Sequence, residues 1–207
     1  MSNVRHPHMI DATQAQAIVL RHCEGGRPCA DSERFAVQSC EFSERGNCWI
    51  VRANSEDYVL HDRVERCYVG VNAYLVDRQS GSLEIVGSGQ SVEQYLQDKD
   101  DLRSAGNCSY VLEPTFDQTG KFEVIRFRQA LECSLHFALQ MIAPQNRGWL
   151  TGKLRVLKDA QALLERRGVP TKIGLQQSSV GAVEVDDRAW HWQALKAALK
   201  SKEGRFT

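Results

Sequence analysis

The stretch Tyr68–Asp98, YVGVNAYLVDRQSGSLEIVGSGQSVEQYLQD, decides the reading of the fold. Val71, Tyr74, Leu75 and Val76 form a β-rich run, Ser80-Gly81 supplies a turn, and Leu83, Ile85 and Val86 resume strand character. The segment therefore predicts an antiparallel hairpin. Gly87 to Gly89 break the strand, Ser91 offers an N-cap hydroxyl, and Val92, Tyr95 and Leu96 recur at helical spacing through Asp98. None of this is catalytic in kind.

Upstream, Asp11 or Thr13 caps a helix through about Cys23, with Ala15, Ile18, Val19 and His22 on one side, and residues 1 to 9 read as a loose leader. Gly25-Gly26-Arg27-Pro28 ends that helix. Arg34 to Phe42 alternates as a strand, Ser43 to Asn47 turns, and Cys48 to Val51 begins the partner strand. Between Asn54 and Arg66 the acid-rich SEDYVLHDRVER predicts an irregular or short helical excursion. The first half is thus an antiparallel sheet with flanking helices, one sheet face covered by the first helix.

The polar run Lys99 to Asn107 reads as a domain boundary, giving units 1–105 and 106–207. The charges divide with it: eleven Lys or Arg against sixteen Asp or Glu up to Ala105, and fifteen against ten from Gly106 onward, in a chain of zero net charge. In the second half, Tyr110-Val111-Leu112 predicts a strand and Lys121 to Leu131 a helix. Ser134 caps a helix carrying Leu135, Ala138, Leu139 and Ile142, and Trp149-Leu150 gives a short strand. Lys153 to Arg167 forms the strongest helix, with Leu154, Leu157, Ala160, Leu163 and Leu164 inward and Gly168 as its cap; Thr171 to Ile173 returns as a strand. Val183 to Val185 suggests an extra strand, and Asp186 or Asp187 caps a last helix carrying Trp190, Leu195, Ala198 and Leu199. The fold class is α+β, with a second β-α-α-β-α-β unit and a C-terminal helix.

Two resemblances follow from these residues. Asn72, Tyr74, Leu75, Val76, Asp77, Ser80, Gly81, Gly87, Val92, Glu93, Tyr95 and Leu96, with Trp49 upstream, make the first half resemble the immunity protein 35, or YrhB-like, family of small bacterial proteins. The order of elements in the second half, with VIRFRQAL, SLHFALQMI and AQALLERRGVPTKI, resembles the C-terminal domain of the bacterial ribosomal stalk protein over about residues 109–175. The second likeness is one of rhythm: Leu131 to Phe137 lacks the glycines and lysine of the stalk family's factor-binding run, so factor binding does not carry over.

Chemistry is sparse. Six histidines and seven cysteines are scattered, without H-E-x-x-H or C-x-x-C, so no metal site is expected and the thiols read as free in a reducing cytoplasm. Cys23 adjoins His22, yet neighbours on a helix point apart, and no G-x-S-x-G occurs. Gly148 to Lys153 has three residues between its glycines where a phosphate loop needs four, and Gly87-Ser88-Gly89 lacks the third glycine of a dinucleotide fingerprint. No catalytic residue and no cofactor is expected. No run approaches the ~18 apolar residues of a membrane span. Sparse aromatics among Lys153, Arg155, Lys158, Arg166, Arg167, Lys172, Lys196, Lys200 and Lys202 argue against a nucleic-acid partner.

What remains is an acidic surface for a protein partner, with Trp49, Asp57, Tyr58, Asp62, Glu65, Asp98 and Asp101 as the candidate contact residues. The family resemblance implies a cytoplasmic, non-enzymatic immunity protein that binds and neutralises a cognate interbacterial toxin, a nuclease being the class an acidic domain suits. The alternative is a chaperone-like or adaptor protein, a role also ascribed within that family. No membrane contact is expected.

Overall fold

The computed structural model describes residues 9–25 and 33–205, and the chain divides into two compact units, Met1–Gln97 and Asp98–Thr207. The leader, His6 and His8, and Cys29 lie outside the described residues. The fold class is α+β.

The first unit begins with helix α1 (Ala12–Gly25). Asp11 starts it through a reciprocal cap: its carboxylate accepts the Gln14 N–H at 2.8 Å, and the Gln14 side chain accepts the Asp11 N–H at 3.0 Å. Strands β1 (Phe35–Ser43), β2 (Cys48–Ser55), β3 (Val71–Asp77) and β4 (Leu83–Gly87) follow as an antiparallel sheet in that order. In the β3–β4 connection Asp77 Oδ1 accepts the N–H groups of Gln79 and Ser80, at 3.0 and 2.7 Å, and Gly81 takes φ +70°. A side chain at that angle is strained, which is why the turn needs glycine.

Both faces of this sheet are covered, where the sequence predicted cover from α1 alone. Tyr74 and Val76 pack with Val51, Phe35 and the Ala15, Val19 and Cys23 face of α1. Ala73 and Leu75 point the other way, to Cys48, Val86, Val92 and Leu96. Successive strand residues alternate faces, so the unbroken apolar run Ala73–Val76 requires apolar cover on both sides. Cys23, rather than the exposed His22, completes the inner face of α1.

Helix α3 (Val92–Ala105) supplies the second cover, α2 being the short helix of the excursion (Glu56–His61). Ser91 and Gln94 cap α3 reciprocally at 3.1 Å each, and the Tyr95 hydroxyl donates to Glu84 at 2.9 Å. The helix runs beyond Asp98 through the polar residues read as a linker. Lys99 to Ala105 hold neither Pro nor Gly, and Arg103 pairs with Asp100 one turn back at 3.2 Å. Gly106, at φ +58°, ends it.

In the second unit β5 (Ser109–Pro114), α4 (Lys121–Leu131), α5 (Leu135–Ile142), β6 (Leu150–Gly152), α6 (Leu154–Glu165) and β7 (Thr171–Gln176) keep the predicted order. Strand β8 (Val183–Val185) joins parallel to β6, giving the sheet order β7-β5-β6-β8. Trp149 is the centre of the core: its ring stacks on Phe127 at 4.6 Å, meets Phe116 edge-on at 6.2 Å, and its N–H donates to the Met141 carbonyl at 2.9 Å. Gly152 passes so near β8 that a Cβ there would stand 2.5 Å from the Val185 carbonyl oxygen.

Leu135, in the first turn of α5, faces outward, and Phe137, Ala138, Met141 and Ile142 face the core. The last helix differs from the sequence reading in being divided: a 3₁₀ turn (Asp187–Trp190), capped by Asp186, precedes α7 (Trp192–Lys200). The break is the extended residue His191, whose ring nitrogen accepts the Ala194 N–H at 3.3 Å and restarts the helix.

Candidate partner-binding surface

Strand β2 ends on two buried polar residues, Asn54 and Ser55, and they organise everything from Glu56 to Tyr68. Buried polar groups need partners, and here the partners are the two ends of a loop. The Asn54 amide donates to the Tyr68 carbonyl at 3.0 Å, and its oxygen accepts the N–H groups of Tyr68 and Ser55 at 2.8 Å each. The Ser55 hydroxyl accepts the Tyr58 N–H, capping α2, and donates to the Arg66 carbonyl at 2.7 Å. A fourteen-residue separation is closed by one side chain.

Between these pins α2 ends at Asp62, which takes the left-handed conformation at φ 53°, and a 3₁₀ turn follows at Val64–Arg66. The Arg63 guanidinium reaches back to Asp57 at 3.3 Å. Leu60 is 59% exposed, Val64 74% and Val69 88%, while Asp62 and Glu65 are exposed beside them. The loop thus presents aliphatic side chains among charges of both signs, Asp62 and Glu65 with the equally exposed Arg63 and Arg66, on a backbone fixed at both ends. Next to it, His22, Cys23, Phe35, Ala53, Tyr68, Val69, Val71 and Tyr74 line a recess of about 220 Å³, in which the Cys23 thiol donates to the Tyr74 hydroxyl at 3.4 Å.

The seven residues singled out from sequence fall into three settings. Asp57, Tyr58, Asp62 and Glu65 belong to this loop. Trp49 sits in β2, where its indole N–H donates to the Ile10 carbonyl at 2.8 Å and its ring meets Phe42 at 5.2 Å, so it ties the start of α1 to the sheet. Asp98 and Asp101 belong to the second unit. Asp98 departs from the expected acidic contact surface: its side chain is 8% exposed, 3.2 Å from Lys153 and 3.4 Å from Arg155, with Asp187 closing the cluster 2.5 Å from Arg155. Burial opposes the Arg155 charge, but the hydrogen bonds that it donates to Asp187 and Asp98 prevail and raise its pKa. Asp101 is half-buried, and its carbonyl accepts the Tyr110 hydroxyl at 3.1 Å.

Several basic residues of the second unit are engaged internally in the same way. Lys196 pairs with Glu132 at 2.7 Å, Lys172 with Glu113 at 3.5 Å, and the buried Lys202 ammonium donates to the carbonyls of Gly148 and Asn146 at 2.6 and 3.3 Å. Among the described residues no group of three or more His, Cys, Asp or Glu is placed to hold a metal ion, and no helix is long and apolar enough to cross a membrane. Among the described residues, Cys23, Cys40, Cys48, Cys67, Cys108 and Cys133 form no disulfide with one another.

The residues that sequence reasoning missed are the pins. Asn54-Ser55 ahead of the acidic first turn Glu56-Asp57 is an N-cap signature, and it marked the start of α2. No family model matches the chain, and neither a curated protein nor a solved structure matches it.

Proposed function

We propose that the chain is a non-enzymatic immunity protein that binds one cognate protein toxin through the α2 loop and neutralises it by direct occlusion. The observation that carries this reading is the loop itself: Leu60 and Val64 held outward, flanked by Asp62 and Glu65, on a backbone pinned by Asn54 and Ser55. A pre-ordered loop loses little entropy on docking, so its contacts translate efficiently into affinity. Aliphatic anchors within a net acidic rim, in which Glu56, Asp57, Asp62 and Glu65 outnumber Arg63 and Arg66, suit a partner whose apolar cleft is ringed by Lys and Arg, as on a nuclease face that holds nucleic acid. The resemblance of Asn72 to Leu96 to the immunity protein 35 family supports the same reading.

The test is a tagged pull-down from the native cytoplasm, followed by kinetics with the captured toxin domain. The triple variant Asp57→Lys, Asp62→Lys, Glu65→Lys is expected to lower the association rate by about tenfold or more at low salt and to remove most of its salt dependence. Unchanged association with unchanged salt dependence sinks the proposal. Exposed Leu60, Val64 and Val69 also support a second reading, a chaperone-like binder of unfolded clients. Suppression of the aggregation of unrelated proteins, with no stoichiometric partner captured, would favour that reading instead.

A further inference from the structure

Helix α4 is amphipathic in an unusual sense, because both of its faces carry large apolar side chains. Val124, Phe127 and Leu131 enter the core. Phe122 and Ile125 lie on the outer face, 79% and 48% exposed, in line with the exposed Gln129. Helical spacing places Lys121 and Arg128 along one border of that face and Arg126 along the other. All three cations are exposed, and the Arg126 side chain extends over Gly168, in the turn that also bears Arg166 and Arg167. The carboxylates nearby, Glu123 and Glu165, line a recess with Arg126, Gly168 and Pro170. The outer face itself, from Lys121 through Phe122, Ile125 and Gln129 to Arg126, holds none.

We propose that this face of α4 docks on an anionic lipid surface. A convex helix face with an aromatic and an aliphatic side chain between rows of Lys and Arg matches the interfacial region of a bilayer. The rings and methyls enter the acyl boundary while the cations meet phosphate headgroups. Charge complementarity excludes a second α4 face, since cations would oppose cations. The contact is expected to be weak and reversible, because two side chains and three or four cations fall short of a stable anchor. This departs from the expectation of a chain without membrane contact: that expectation rested on the absence of a spanning segment, whereas a docked face needs none.

The experiment is co-sedimentation of the full chain with vesicles of mixed phosphatidylglycerol and phosphatidylcholine, and with vesicles of phosphatidylcholine alone. Partitioning is expected to be at least about tenfold stronger with the anionic vesicles and to be lost at about 0.5 M salt. Phe122→Ser with Ile125→Ser is expected to reduce partitioning by about tenfold, and Lys121→Glu with Arg128→Glu by at least as much. These side chains are exposed, and unchanged circular dichroism verifies that each variant is folded. Phe122→Trp keeps the apolar contact and should retain binding, its emission shifting to shorter wavelength with anionic vesicles only. Failure of the wild-type chain to sediment with anionic vesicles overturns the proposal, as an acidic protein partner for α4 would then be the remaining fit. Binding that survives loss of both apolar side chains also overturns it, since adsorption would be purely electrostatic.

Discussion

Replacing Asn54 by alanine removes three hydrogen bonds of ordinary length at once, those to the Tyr68 carbonyl, the Tyr68 N–H and the Ser55 N–H. At about 1 kcal/mol net for each bond, less a few tenths for the freed side chain, the loss is ~2–3 kcal/mol. The loop can open without the sheet, so the damage should be local first. Hydrogen exchange followed by mass spectrometry reads this directly: protection of the amides from Ser55 to Tyr68 should fall by roughly thirty- to a hundred-and-fiftyfold, the same free energy expressed as an opening equilibrium. A matched control is Asn72→Ala, which removes the single bond from Asn72 to the Gln90 carbonyl at 2.8 Å. It should cost about 1 kcal/mol and leave the exchange of the Glu56–Arg66 segment unchanged. If Asn54→Ala changes protection no more than Asn72→Ala does, the loop is not pinned by that side chain, and the case for a pre-ordered binding surface fails with it.

Trp149→Phe should destabilise the second unit by ~2–4 kcal/mol in urea unfolding, because it leaves the buried Met141 carbonyl unpaired and opens a void beside Phe127. Lys196 hydrogen-bonds the Glu132 carboxylate and holds its pKa below the usual value, so folding gains stability above the ordinary glutamate range that is lost as pH falls through the lowered folded-state pKa. Glu132→Gln should therefore lower the melting temperature slightly at pH 7 and flatten its further loss on acidification below about pH 4, where the two proteins converge. Burial pushes the Cys133 thiol up, which outweighs the nearby Lys200 charge, so iodoacetamide at mildly alkaline pH should modify it more slowly than a free cysteine peptide.

Local chemistry made much of this fold legible. The β3–β4 hairpin follows from Asp77 and Gly81, and α4 and α5 from their periodicity and from Ser134, because each signal lies within a few residues of what it controls. Cover on both faces of the first sheet was also written in Ala73–Val76, where alternation is missing, yet that run reads equally as a single apolar strand until α3 is placed. The length of α3 was hidden, since an exposed polar helix and a polar linker share a composition and only Gly106 distinguishes them. The candidate site divides the same way. Its carboxylates were visible as a charge run, but the state of Asp98 depends on Lys153 and Arg155, more than fifty residues away in sequence. Likewise the outward aim of Leu60, Val64 and Phe122 is a property of packing, and aliphatic residues in a sequence look alike whether they face in or out.

The two pins at the end of β2 also bear on how such a protein can change. Asn54 and Ser55 grip backbone groups of Arg66 and Tyr68, and a carbonyl or N–H is the same whatever side chain the residue bears. Residues 59 to 65 can therefore be rewritten with little consequence for the sheet beneath, as grafted loops are on an antibody framework. A lineage built this way could follow a fast-diverging adversary through a handful of codons while its core stayed still. Exchanging Leu60–Glu65 for an unrelated sequence of equal length should then alter whom the protein meets long before it alters whether the protein folds.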